Sequence, residues 1–236
     1  MKSRLQSIEP AIPMSSTQTH SRVRIWDAPT RLVHWLMVAL LAFSWWTAEN
    51  GNLEWHLYSG LTLLGLLVFR IYWGFFGSQT ARFGSFVKGP RTVWSYLRGT
   101  DNDSRDVTPG HNPLGALSVV LLLLLLIGQV TLGLFAVDVD GIESGPLSHL
   151  VSFGTGRDCA ELHETLFNVL LAFIGLHIAA VLYYQLFRRE NLIAAMIHGK
   201  RSLPSPVSSS AAQLSLPKLI VGIVLACLAV WYIRQG

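Results

Sequence analysis

The sequence predicts an all-α membrane protein with five transmembrane helices. Charged residues make up 14% of the 236 residues and hydrophobic residues 51%, whereas soluble domains carry about 25% charged residues. The apolar residues form runs of about 20, the number of helical residues that cross a bilayer core. These runs are too long for barrel strands and lack their period-two alternation.

The predicted spans are residues 32–48, 56–76, 114–137, 165–187 and 216–233. The fifth is short and begins with Pro217 and Lys218, but Pro is tolerated in a first helical turn. Its apolar residues lie on all sides, which favours crossing the membrane over lying in the interface.

The spans divide the chain into four predicted parts. Residues 1–21 form a disordered tail without the apolar core of a signal peptide. Residues 22–201 form a four-helix transmembrane domain, residues 202–215 a Ser/Pro-rich linker, and residues 216–236 an additional C-terminal transmembrane helix.

Lys and Arg indicate the orientation of the spans. They concentrate in the tail, in residues 77–113 and after the fourth span, whereas residues 49–55 and 138–164 are mainly acidic. Because positive loops stay inside, we predict a cytoplasmic N-terminus and a periplasmic C-terminus. The net charge of +4 reflects this asymmetry and requires no nucleic-acid partner.

Four of the eight histidines lie in or at the ends of spans, where polar rings are costly and indicate function. His163 and His177 are fourteen residues apart, so they lie about 21 Å apart along one helix and nearly on one face. They cannot bind one ion, but each can hold a separate cofactor with a second ligand at the same depth. His56 matches the depth of His163, and His34 matches that of His177.

Two b-type haems account for all four residues, with His34 and His177 binding the inner iron and His56 and His163 the outer iron. Packing histidines and a zinc site are the alternatives, although the HExxH motif fails because its fifth position is Phe167. The two cysteines form no CxxC motif, which gives no support for iron–sulfur ligation or covalent haem attachment.

Further polar residues are candidates for binding the cofactors. Arg70 lies at the predicted depth of the inner haem and would pair with a propionate, snorkel to the interface, or do both; Arg31 has the same two interpretations. His111 would contact a propionate or a quinone headgroup, or cap the third span. Glycines 60, 65, 128, 133 and 175 allow close approach of a porphyrin or of a helix.

Five stretches carry a resemblance that covers roughly residues 22–200. They are RIWDAPTRLVHW at 24–35, FRIYWGF at 69–75, GHNPLGA at 110–116, ELHET at 161–165 and GLH at 175–177. Together they resemble the bacterial cytochrome b-561 group, which includes the cytochrome b subunit of nickel–iron hydrogenases. The fifth helix departs from the four-helix pattern of that group.

The resemblance implies a four-helix bundle with two b haems, with one ligand each from the first and second helices and two from the fourth. These positions map onto His34, His56, His163 and His177. It also implies electron exchange in the bacterial inner membrane between the quinone pool and an outer partner, which is a hydrogenase, a c-type cytochrome or superoxide.

We therefore expect an electron-transfer cytochrome b, either a quinone-linked oxidoreductase or its membrane subunit, in contact with lipid and able to form oligomers. The opposing hypothesis is a non-redox membrane anchor subunit or a metal transporter.

Overall fold

The computed structural model describes residues 20–98, 112–140, 143–204 and 214–235. Most of the predicted tail, residues 205–213 of the predicted linker and His111 lie outside these residues. Residues 202–204, which we assigned to the linker, belong instead to a strand.

The prediction of an all-α membrane protein is confirmed. The long helices are α1 (Ala28–Glu49), α2 (Leu53–Phe76), α5 (Pro113–Phe135), α6 (Phe153–Phe187) and α8 (Leu216–Gln235), and the short ones are α3 (Phe83–Phe86), α4 (Pro90–Leu97) and α7 (Leu192–His198). All five long helices are long and apolar enough to cross a membrane.

Short polar side chains cap three of the long helices. Asp27 accepts a hydrogen bond from the Thr30 backbone N–H at 2.8 Å at the start of α1, and Asn112 accepts one from that of Gly115 at 2.7 Å at the start of α5. Both helices also have Pro in their first turn, where its missing N–H costs nothing.

The fourth long helix, α6, begins at Phe153 rather than at Thr165, where the apolar run starts. Ser152 caps it, and its hydroxyl accepts a hydrogen bond from the Thr155 backbone N–H at 3.2 Å. The first turns of α6 are polar, so apolar patterning did not reveal them. His163 therefore lies well inside a continuous helix rather than at its start.

The long helices pack as two groups. α1 and α8 each pack against α2, and α5 packs against α6; a smaller contact between α2 and α5 joins the groups. We call the end of the bundle where α1 turns into α2 the turn end. The opposite end, where α1 begins, is the strand end.

The C-terminal helix α8 lies antiparallel to α2 and in direct contact with it. A Cβ atom at Gly222 would lie 2.8 Å from Tyr72 Cδ1, and one at Gly65 would lie 3.1 Å from Val230 Cγ2. Arg234, near the end of α8, lies over the Tyr58 ring at 6.0 Å. The helix therefore runs from the strand end to the turn end as part of the bundle.

A two-stranded sheet marks the strand end. β1 (His20–Arg24) pairs antiparallel with β2 (Lys200–Pro204). Gly199, at φ +75°, ends α7, and its carbonyl accepts hydrogen bonds from the backbone N–H groups of Ile25 and Trp26. A Cβ atom there would lie 2.6 Å from the Trp26 carbonyl oxygen, so only glycine fits, and the sheet holds α7 against the start of α1.

Candidate histidine-pair site

The structure brings His56 of α2 and His163 of α6 together near the turn end. Their ring centroids are 5.9 Å apart and the rings are nearly perpendicular, at 84°. We call these residues the turn-end pair. They come from the two different groups of helices, so the pair spans the space between those groups.

Both rings of the turn-end pair are oriented by main-chain carbonyls. His56 Nδ1 donates to the Ser44 carbonyl oxygen of α1 at 2.9 Å, and His163 Nδ1 donates to that of Gln129 of α5 at 2.9 Å. A carbonyl oxygen can only accept, so the proton of each neutral ring is on Nδ1. Nε2 is then the atom with a free lone pair, which is the usual arrangement of metal-binding histidines.

Gly133 makes room for the His163 ring. It lies one helical turn after Gln129, and a Cβ atom there would lie 2.9 Å from His163 Cε1 and 3.2 Å from Nδ1. Glycine at this position therefore lets the ring reach the Gln129 carbonyl. Gly133 is one of the glycines predicted to allow close approach, and in the structure it does so for one histidine, His163.

His34 of α1 and His177 of α6 are the second predicted pair, which we call the strand-end pair. His177 Nδ1 is 3.3 Å from the Ser118 hydroxyl of α5, whereas His34 Nδ1 is buried and has no hydrogen-bond partner among the described residues. This pair is therefore held less firmly by hydrogen bonds than the turn-end pair.

Asp27 fixes the helices around His34. It is 2% exposed; while Oδ1 caps α1, Oδ2 accepts a hydrogen bond from Trp73 Nε1 of α2 at 2.8 Å. A single carboxylate thus joins the start of α1 to the end of α2. The sequence analysis missed this role, although an Asp two residues before Pro29 is a recognisable capping signal.

Arg70 lies on α2 at the depth of His34. Val33 and Phe69, the residues that precede His34 and Arg70, pack in one buried cluster. The Arg70 side chain is buried, its Cζ is 5.1 Å from the centre of the Phe83 ring, and its Nη1 atom has no hydrogen-bond partner among the described residues. This burial does not fit snorkelling, whereas an unsatisfied guanidinium N–H fits a carboxylate ligand group.

Arg31 has a different environment from Arg70. Its Nη1 atom donates to the Ile197 carbonyl of α7, and its Nε atom donates to the Asp27 carbonyl at 3.3 Å. The guanidinium therefore holds α7 against α1, a structural role that we did not predict. His111, the other candidate, lies outside the described residues.

The turn-end pair fits bis-histidine haem ligation better than a compact metal site. Two imidazoles on opposite sides of one metal atom, each bonded at about 2 Å, have ring centres about 6 Å apart, close to the 5.9 Å of the turn-end pair. Among the described residues, no group of three or more His, Cys, Asp and Glu side chains could hold an ion. Nothing lies within 4 Å of a Cβ atom added at Gly60, one turn after His56, so this glycine leaves space beside the turn-end pair; Gly175 also has open surroundings but is exposed.

Residues 25–199 match the family model of prokaryotic cytochrome b561. The chain is 23% identical to the "Probable Ni/Fe-hydrogenase 1 B-type cytochrome subunit" of Escherichia coli strain K12, over 75% of this chain and 90% of that protein. It is 24% identical to the "Probable Ni/Fe-hydrogenase B-type cytochrome subunit" of Azotobacter chroococcum mcd 1, over 83% of this chain and 95% of the relative. No solved structure matches the chain significantly.

Proposed function

The chain belongs to the prokaryotic cytochrome b561 family, and we propose that it carries electrons across the bacterial inner membrane through two haem b groups. Membership itself implies haem b and membrane electron transfer. The proposal adds that there are two haems, which histidines bind them, and the route that electrons take across the membrane.

The observation that carries the proposal is the placement of two histidine pairs at different depths along one continuous helix. His163 and His177 both lie on α6, about 21 Å apart along its axis. Each has a partner histidine from the α1–α2 hairpin. A cofactor at each pair would divide the crossing of the membrane into shorter steps.

The residues of the chain supply ligation and orientation, while haem iron supplies one-electron chemistry when bound. His56 and His163 would present Nε2 because their Nδ1 protons are engaged by carbonyls. With two histidines per iron no position remains open, which favours electron transfer over oxygen chemistry. Arg70 would hold a propionate of the haem at the strand-end pair.

We further propose quinone and a periplasmic hydrogenase or c-type cytochrome as the redox partners. The relatives' names describe cytochrome subunits of Ni/Fe-hydrogenases, which supports a hydrogenase as the outer partner. The proposal of quinone as a partner rests on the family resemblance of the sequence and on the position of the strand-end pair. In the predicted orientation, this pair would face the cytoplasm.

A reduced-minus-oxidised absorption spectrum of the full-length protein, with haem quantified against protein, tests the proposal. We expect b-type bands and two haems per chain. One haem per chain would contradict the two-haem path, and a colourless protein would leave the anchor or transporter hypothesis.

We expect alkaline phosphatase fused after Gln235 to be active in cells, because α8 runs antiparallel to α2 and would end in the periplasm. Alkaline phosphatase fused after Pro204, before α8, is the matched control and should be inactive. Activity of a cytoplasmic reporter, such as β-galactosidase, at the C-terminus would contradict this orientation.

We expect Arg70→Leu to lower the midpoint potential of one haem and to leave that of the other nearly unchanged. A nearby positive charge favours the reduced, less positive haem, so its removal favours the oxidised form. Redox titration of the spectrum measures both components, and Arg98→Leu, at an exposed cation outside the bundle core, is the control. Equal shifts of both components, or none, would count against placing Arg70 beside one haem.

A further inference from the structure

A cavity of about 280 Å³ lies at the strand end, between the loop that follows α2 and the start of α8. Its polar lining comprises Ser78, Gln79 and Arg82 from the loop, and Ser215 and Lys218 from the segment that begins α8. Since a water molecule occupies about 30 Å³ of liquid, the cavity has room for a polyatomic group. Residues 214–218 lie beyond the part of the chain that matches the family, so the family ligands do not explain this cavity.

The lining has the chemistry of an anion site. Arg82 and Lys218 bring two positive charges from separate segments, and none of the residues that line the cavity is acidic. Ser78 is only 5% exposed, and its hydroxyl has no hydrogen-bond partner among the described residues. A buried hydroxyl without a partner is unfavourable, and an anionic oxygen that reached it would accept a hydrogen bond from it.

The position of the cavity indicates which anion it would bind. It lies at the end of two membrane-spanning helices, α2 and α8, where lipid phosphates concentrate. Phe75 and Phe76, in the last turn of α2, are 61% and 56% exposed and lie on the membrane side of the loop. A ligand with a phosphate at the surface would contact the cations, and its acyl chains would extend along the apolar ends of α2 and α8.

We propose that this cavity binds the phosphate group of an anionic phospholipid. Arg and Lys pair strongly with phosphate oxygens, and basic pockets between transmembrane helices are known lipid headgroup sites. Bound there, the lipid would connect α8 to the loop after α2 and stabilise the packing of α8 on the bundle. The proposal does not depend on the histidine pairs or on haem.

Lipid binding is tested on the full-length protein, purified in a neutral detergent and stripped of lipid. Phosphatidylglycerol, phosphatidylcholine and inorganic phosphate are titrated separately, and binding is followed by native mass spectrometry and by the melting temperature. We expect phosphatidylglycerol to bind and to raise the melting temperature. Phosphatidylcholine, whose choline would face Arg82 and Lys218, should bind more weakly, and inorganic phosphate should not reproduce the stabilisation.

The double variant Arg82→Gln/Lys218→Gln should bind phosphatidylglycerol about thirtyfold more weakly, from roughly a fivefold contribution per basic residue near a membrane surface. Lys88→Gln/Arg91→Gln removes two exposed cations of the same segment that do not line the cavity, and it should bind like the unaltered protein. Ser78→Ala, which keeps both charges, should weaken binding by a smaller factor. This variant replaces the double variant in the test if the double variant does not fold.

Two results would overturn the proposal. Equal weakening by both double variants would mean that general surface charge attracts the lipid, and equal stabilisation by inorganic phosphate would identify a soluble anion as the ligand. Haem content is measured for every variant. If the variants keep their haem but lipid binding does not change as expected, the lipid site is wrong and the proposed electron path is unaffected.

Discussion

His56→Ala and His163→Ala are each expected to remove the same haem, and His34→Ala and His177→Ala the other. The physical reason is distance: the pairs are separated by about four turns of α6, or about 21 Å, and one porphyrin cannot take ligands from both depths. The 5.9 Å separation of the His56 and His163 rings places the first two of these histidines together. Redox titration shows which of two midpoint components disappears in each variant.

His149→Ala is the matched control for these variants. His149 is an exposed histidine outside the transmembrane helices, so its loss should leave both components in place. The assignment would be wrong if His56→Ala and His177→Ala abolished one component while His163→Ala abolished the other. Because bound cofactor also stabilises the folded bundle, haem content should be measured on the fraction that remains monodisperse.

Gly133→Val should abolish the haem at the turn-end pair without altering any ligand. Even a Cβ atom at this position would lie 2.9 Å from His163 Cε1, and valine adds two methyl groups beyond it. The ring would have to leave the Gln129 carbonyl, losing the hydrogen bond that fixes its tautomer and direction. We expect loss of the same midpoint component that disappears in His163→Ala.

Gly128→Val is the control, because Gly128 lies on the same helix, α5, and faces the same neighbouring helix, α6. A Cβ atom there would meet only the Leu166 Cδ2 methyl group, at 3.0 Å, and a leucine side chain can change rotamer. This variant should keep both haem components and lose some thermal stability. If Gly128→Val removed the same component as Gly133→Val, the effect would come from α5–α6 packing rather than from His163.

The spacing of the histidines illustrates how part of the site could be predicted from the sequence. The fourteen-residue interval between His163 and His177 gave their separation and common face, because helix geometry is fixed by the backbone. The capping residues Asp27 and Asn112, with proline two residues and one residue later, also specify helix starts locally, although the Asp27 cap was not among the predictions. The start of α6 was missed because its first turns are polar and it is the Ser152 cap, not an apolar pattern, that begins the helix.

The partners of the histidine Nδ1 atoms could not be predicted from the sequence. Ser44 and Gln129 accept hydrogen bonds from these atoms through their backbone carbonyls, and every residue has a backbone carbonyl. Which carbonyl lies beside a ring depends on how α1 packs against α2 and α5 against α6. The acceptor of the Arg31 hydrogen bond, the Ile197 carbonyl of α7, could not be predicted either, because it lies far along the chain from Arg31.

The sequence by itself determined the membrane class, the five long helices and the spacing of His163 and His177 along one helix, because apolar length and helical rise are local properties of the chain. Only the tertiary structure decided that α8 packs on α2, that Arg70 is buried beneath Phe83, and that Gly133 gives His163 its room. These features depend on contacts between segments distant in sequence. Their distances are set by side-chain packing across helices, which no spacing within one helix encodes.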